Sequence, residues 1–261
     1  MKVALCYHGI AKGHNFKNGG LPVGFDHEFD LIQKNLVEHN KDCTFDVFLH
    51  SWSIDYKDAV LEKLKPKGYL FEKSKEFKKP SVKALLKEKI KKKLGKGYEL
   101  QRINNIYSRW YSFKKVCDLV KKSNQKYDLV IVTRFDICLL NKFTISDLNP
   151  NIFYSGDWIT FKEKGKELLE ENYPLIKENS TEISKGYPFD EEGIQDFFFI
   201  SSQDYLVNKF SEIFKQLEFL LKKYGKSNHL IALGKLKEDK MLKKHQRILT
   251  YSKDYFLSRW L

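Results

Sequence analysis

The sequence predicts an α/β fold in which a mainly parallel sheet is flanked by helices, and three observations carry that prediction. Short apolar runs rich in β-branched and aromatic residues alternate with segments of helical period, the pattern of strands joined by crossover helices. Leu129 to Val132 is an uninterrupted apolar run, as expected of a strand covered on both faces of a sheet. Hydrophobic residues make up 42% of the chain and aromatic residues 15%, enough to fill a sizeable core, so disorder over the whole length is excluded.

A first strand is expected over Val3 to Tyr7, followed by a loop holding Gly9, Gly13, Gly19, Gly20 and Gly24. Phe29, Ile32 and Leu36 recur at helical spacing and lead to a second strand, Phe45 to Leu49, that runs into His50, Ser51 and Trp52. Together they read as one βαβ unit. A third strand is expected at Tyr69 to Phe71. A better-defined helix spans about Gln101 to Lys122, where Ile103, Ile106, Tyr107, Trp110, Phe113, Val116 and Val120 keep one apolar face. Its other side carries Asn105, Arg109 and Ser112. Further strands fit Ile152 to Tyr154, Phe197 to Ile200 and Arg247 to Tyr251. One long helix is expected from Tyr205 to Leu221, closed by Gly225, and a shorter one over Leu230 to Leu236.

At 261 residues the chain suits one domain, 1–261, carrying an excursion at 72–100. That excursion holds most of the charge asymmetry. Lys+Arg 47 against Asp+Glu 34 gives a net +13. Between Lys73 and Gly97 eleven lysines face two glutamates, so the remainder of the chain is only mildly basic. Within this window Val82, Leu85, Leu86, Ile90 and Leu94 form a narrow apolar stripe on a basic helix, suited to an anionic membrane surface. A nucleic-acid-binding role is the rival reading, but arginine is scarce there and Phe77 is the only aromatic available for base stacking. Nucleic acid is therefore not an expected partner.

Cys6, Cys43, Cys117 and Cys138 show no C-x-x-C spacing and imply neither a disulfide framework nor a zinc site. The N-terminus enters the first strand without a basic leader and long apolar region, and no apolar run reaches bilayer-spanning length. A cytoplasmic enzyme, peripheral at the inner membrane face, is the expectation. The absence of G-x-G-x-x-G and of G-x-x-x-x-G-K-[ST] argues against a dinucleotide redox enzyme and a P-loop kinase.

In open parallel sheets a ligand sits beyond the carboxyl ends of the strands. The residues just after each expected strand are His8 and Gly9, His50 with Ser51 and Trp52, Arg134 with Phe135 and Asp136, and Asp157 with Trp158. Asp136, at the end of a buried strand, suits a hard divalent metal bridging a diphosphate; the competing reading is that Arg134 and Asp136 pair with each other. Gly9 permits close backbone approach to a nucleotide beside His8. Arg109 offers a bidentate fork to phosphate oxygens, or else an ion pair. Asp196, with Glu191 and Glu192 upstream, is a candidate to deprotonate an attacking hydroxyl; Asp157 is a further carboxylate for that work.

Four segments carry a resemblance to a known family: Y-D-L-V-I-V-T-R-F-D-I-C-L at Tyr127 to Leu139, D-V-F-L-H-S-W at Asp46 to Trp52, Y-S-R-W-Y-S at Tyr107 to Ser112, and Q-D-F-F-F at Gln195 to Phe199. In order and spacing they resemble the glycosyltransferases of bacterial capsule and surface-polysaccharide gene clusters. The resemblance implies a GT-A-like, Rossmann-like fold, a nucleotide-sugar donor, and a saccharide acceptor that can be lipid-linked. It places Arg134-Phe135-Asp136 where that fold carries a metal-binding Asp-x-Asp, with Mg or Mn on Asp136. Arginine replaces the first aspartate, which gives this chain a second means of offsetting diphosphate charge. Enzymes of that class often add a C-terminal histidine ligand, for which His245 and His229 are the late candidates. A phosphoryl-type group transferase acting on the same polysaccharide fits the same residues.

Overall fold

The computed structural model describes residues 1–15, 21–77, 99–157, 193–251 and 253–258. The lysine-rich stretch beyond Phe77, together with Trp158, Glu191 and Glu192, lies outside the described residues. In chain order the elements are β1 (Lys2–Gly9), β2 (Gly13–Asn15), β3 (Leu21–Val23), α1 (Asp26–Ile32), β4 (Thr44–Ser51), α2 (Lys57–Leu64), β5 (Gly68–Phe71) and α3 (Glu99–Lys122). They continue with β6 (Leu129–Arg134), β7 (Ile137–Leu139), β8 (Phe153–Asp157), β9 (Phe198–Ser201), α4 (Gln203–Leu206), α5 (Leu217–Tyr224), α6 (Asn228–Glu238), β10 (His245–Thr250) and β11 (Tyr255–Leu257).

Seven strands form one sheet in the order β10, β8, β9, β6, β1, β4, β5. β1 pairs parallel with both β4 and β6, β4 with β5, and β10 with β8. β9 alone runs antiparallel, to β6 on one side and β8 on the other. The carboxyl ends of the other six strands therefore share one edge of the sheet, and β9 begins at that same edge.

Both faces of the sheet are covered, which is why the central strands read as continuous apolar runs. Along β1 and β6 alternate residues go to opposite faces. Ala4, Cys6, Val130 and Val132 pack under α3 with Trp110, Phe113, Val116 and Val120; Leu5, Tyr7, Leu129 and Ile131 pack against α1 and the β7/β11 pair. Trp110 is fully buried and stacks on Phe199 at 6.2 Å between ring centres.

Three features differ from expectation. The segment from Tyr205 to Leu221 is not one helix but α4, a 3-10 stretch over Phe210–Phe214, and α5. Phe210 is completely buried among Phe153, Phe199 and Phe113, at 4.7, 5.2 and 5.8 Å. Ser211 Oγ turns back to donate to Val207 O at 2.6 Å, a local bond that competes with regular helix. The glycine-bearing loop after β1 contains the β2/β3 hairpin, and residues 137–139 pair with 255–257 as a separate two-stranded sheet. Such strands of three residues are too short to show a period. All four cysteines are free thiols. Among the described residues no helix is long and apolar enough to cross a membrane.

Candidate functional site

The strand ends named from the sequence do share one edge, in the order Asp157, Arg134 with Asp136, His8 with Gly9, and His50. His8 is level with His50 on one side and with Arg134 on the other. Four inter-strand spacings separate β8 from β4, about 19 Å in all. The residues consequently fall into three groups along the edge.

The central group is buried and ionic. Arg134 binds Asp136 through two parallel bonds, Nε to Oδ1 at 2.7 Å and Nη2 to Oδ2 at 2.6 Å. The competing sequence reading, in which these two side chains pair, is the arrangement found. Burial opposes the Arg134 charge, but Asp136, and then Asp196, hold its pKa above the ordinary arginine value. Arg109 reaches across from α3, donating from Nε to Asp196 Oδ2 at 3.3 Å and from Nη2 to the Asp196 carbonyl. Its Nη1 donates to the His8 imidazole. Arg109 is thus engaged within the protein rather than presenting an open fork, and its partner is a buried carboxylate, not a surface one: the side chains are 8% and 5% exposed. Burial lowers the Arg109 pKa to about 10. His8 is pushed well below its ordinary value by burial first and then by Arg109 and Arg134, so it stays neutral and accepts.

Gly9 ends β1 with φ +112, and among the described residues nothing lies within 4 Å of where a Cβ would stand. The chain there is both open and in a conformation that favours glycine.

The second group surrounds His50. Its Nδ1 meets Ser112 Oγ at 2.7 Å and its Nε2 meets Glu72 Oε2 at 3.1 Å. Tyr111 donates to the same carboxylate at 2.9 Å and Lys75 also binds it. Burial would raise Glu72, yet hydrogen bonds from Lys75, His50 and Tyr111 bring it to about 2. Burial lowers His50 to about 4, although Glu72 pulls the other way. His50 is fully buried and serves as a strut between β4, α3 and the segment after β5. Trp52 stacks on Tyr111 at 5.5 Å. Neither Glu72 nor the pairing of Ser112 was evident from sequence, because both meet His50 across long stretches of chain and no local pattern joins them.

The third group is looser. Asp157 lies 3.5 Å from Arg247 with 40% of its side chain exposed, and Ser155 Oγ meets His245 Nε2 at 2.8 Å. His245 pairs in register with Phe153 at the amino end of β8, so it lies away from the carboxyl edge that carries Asp157 and away from Asp136.

Glu28 of the central group has no role in the sequence reading, and His229 enters it only as one of two candidates for the metal ligand that the resemblance implies. Glu28, on α1, is buried, accepts a hydrogen bond from Ser258, and has its pKa raised chiefly by burial, with the charge of Asp136 adding to it. Its setting, F-D-H-E-F-D, reads as a solvated face. His229, the second residue of α6, places Nδ1 3.2 Å from Asp196 Oδ1 and 3.1 Å from Ile194 O. A histidine just inside a helix start after Ser227 was the only available signal.

Both Asp136 oxygens are taken up by Arg134, and among the described residues no three His, Cys, Asp or Glu side chains are grouped to hold a metal ion. The Mg or Mn role expected of Asp136 does not fit this donor set. No protein-family model matches the sequence, and comparison with curated proteins finds no significant match.

Proposed function

We propose that this chain is a glycosyltransferase that moves a sugar from a nucleotide-activated donor to a saccharide of a growing surface polysaccharide, of capsule or lipooligosaccharide type. The observation that carries this reading is topological. From β1 the chain continues outward through β4 to β5, whereas β6 lies on the other side of β1. The direction of strand order therefore reverses between β1 and β6, the place where open α/β sheets leave a crevice for a ligand. His8, Gly9, Arg109, Arg134, Asp136 and Asp196 gather at that point and nowhere else along the edge.

In this reading the nucleoside diphosphate lies over Gly9, with Arg134 offsetting the charge that builds on the departing diphosphate. Asp136 keeps Arg134 in place through two bonds, and Arg109 does the same for Asp196. Rate enhancement comes from positioning and from fixed charges in a partly water-excluded site. The motif resemblance at Tyr127 to Leu139 and at Gln195 to Phe199 supports the same class, since both segments border this crevice.

Calorimetric titration with UDP, GDP, CDP and CMP, each with and without Mg or Mn, tests the proposal. Micromolar binding of at least one of them, weakened tenfold or more by Arg134→Met, is expected. Absence of binding across the whole set rejects it.

A further inference from the structure

The geometry points to His229 as the group that takes the proton from the acceptor hydroxyl, with Asp196 as its positioning residue. This assignment rests on the glycosyl-transfer reading above and replaces the direct role for Asp196 that the sequence suggested.

Hydrogen-bond chemistry fixes the tautomer of His229. A backbone carbonyl only accepts, so the 3.1 Å contact between His229 Nδ1 and Ile194 O requires a hydrogen on Nδ1. In the neutral ring the lone pair then resides on Nε2. Asp196 Oδ1, 3.2 Å from the same Nδ1, reinforces that tautomer and is placed to stabilise the imidazolium formed on proton uptake. An acid that orients a histidine and compensates its charge without being protonated is a known division of labour. Asp196 is suited to it, since its Oδ2 is held by Arg109 and its side chain is 5% exposed. His229 retains 18% exposure, and its Nε2 lies across the ring from the Nδ1 held by Asp196 and Ile194.

The local chain is built to hold this pair. Ile194 N donates to His229 O at 3.3 Å while His229 Nδ1 donates back to Ile194 O, so the segment before β9 and the start of α6 clamp each other. Gly193 runs past at φ +141, and a Cβ there would stand 2.4 Å from the His229 carbonyl carbon. Only glycine permits that approach. Phe197 meets the ring edge-on at 6.4 Å and limits its rotation.

The step is a single displacement. The acceptor oxygen bonds to the anomeric carbon of the donor as its proton passes to His229 Nε2. The bond from that carbon to the diphosphate oxygen breaks, and its electron pair leaves with the nucleoside diphosphate. The imidazolium, balanced by Asp196, afterwards gives its proton to solvent.

Two measurements on the intact chain test this. Nitrogen-15 spectra of labelled histidine should show the neutral form of His229 protonated on Nδ1 and unprotonated on Nε2; an Nε2–H tautomer overturns the assignment. His229→Asn keeps a donor near the place of Nδ1 but removes Nε2. Nucleotide release is followed from UDP-, GDP- and CMP-sugars with glucose- and galactose-terminated oligosaccharides. The variant should lose about 10²-fold or more in kcat, with KM for the donor and calorimetric nucleotide affinity within twofold of the unsubstituted chain. Release within threefold of the unsubstituted chain overturns the role of His229 while leaving the glycosyltransferase reading intact. Failure of the unsubstituted chain to bind any nucleotide removes that reading, and this assignment with it.

Discussion

Arg109, in the middle of α3, and Asp196, at the entry to β9, meet as a buried ion pair although 87 residues separate them in sequence, with Nε and Oδ2 3.3 Å apart. The pair fastens the helix that covers one face of the sheet to the edge where the candidate site lies. Removing one partner strands the other in a poorly hydrated place, which costs about 3–5 kcal/mol. Arg109→Met and Asp196→Asn should each lower urea stability by that order, and the double substitution by clearly less than the sum. Additive losses would show that the two side chains are energetically independent.

Acid sensitivity follows from buried neutral histidines. His50 and His245 both have their pKa lowered to about 4 by burial, against an ordinary value of 6.5, and His8 is lowered as well. Between pH 6.5 and 4 the unfolded chain binds protons that the folded chain refuses, so the stability these groups confer is complete above pH 6.5 and is lost as pH falls toward 4. Each pH unit crossed inside this window removes roughly 1.4 kcal/mol for every such histidine, so urea unfolding at pH 7 and at pH 5 should differ by several kcal/mol in free energy. His50→Gln should flatten the dependence. A midpoint that stays constant across this window contradicts the burial of these rings in neutral form.

Gly193 has no room for a side chain. With φ +141 and the His229 backbone 2.4 to 2.5 Å from an added Cβ, Gly193→Ala must displace either the segment before β9 or the start of α6. Strain of this kind costs about 1–3 kcal/mol. The substitution should lower the melting temperature and reduce sugar transfer together. Full activity in Gly193→Ala would show that the contact between Ile194 and His229 is dispensable.

The main strands were legible because each is a short apolar run ended by a polar residue. Val3 to Tyr7 and Leu129 to Val132 are apolar on both faces, as central strands of a covered sheet must be, and the ends of those strands named His8, Gly9, Arg134 and Asp136 correctly as neighbours. What the sequence concealed is long-range pairing. Nothing local to Arg109 says that its guanidinium faces Asp196 rather than solvent, and the i, i+2 spacing of Arg134 and Asp136 suits a metal ligand and an ion pair equally well. The break at Phe210–Phe214 was hidden for another reason. Its apolar spacing is helical throughout, while the burial of Phe210 in the aromatic cluster and the Ser211 bond to Val207 O accompany the break. His229 was named only as a possible metal ligand, because a single histidine at a helix start has no local pattern that points to Asp196.

Arg134 offers a contrast between charge and geometry. Lysine at this position keeps the charge but loses the two-bond fork to Asp136. Arg134→Lys should therefore bind nucleoside diphosphate several-fold more weakly while Arg134→Met loses tenfold or more, as read by calorimetry. Equal affinity in all three proteins would remove Arg134 from the site.

The most direct test is a crystal structure of the chain soaked with the nucleoside diphosphate that binds most tightly in titration. The nucleotide is expected over the carboxyl ends of β1 and β6, its diphosphate beside Gly9 and within reach of Arg134. A nucleotide seated away from that edge, or no nucleotide at all in a crystal that leaves the edge open, would contradict the assignment.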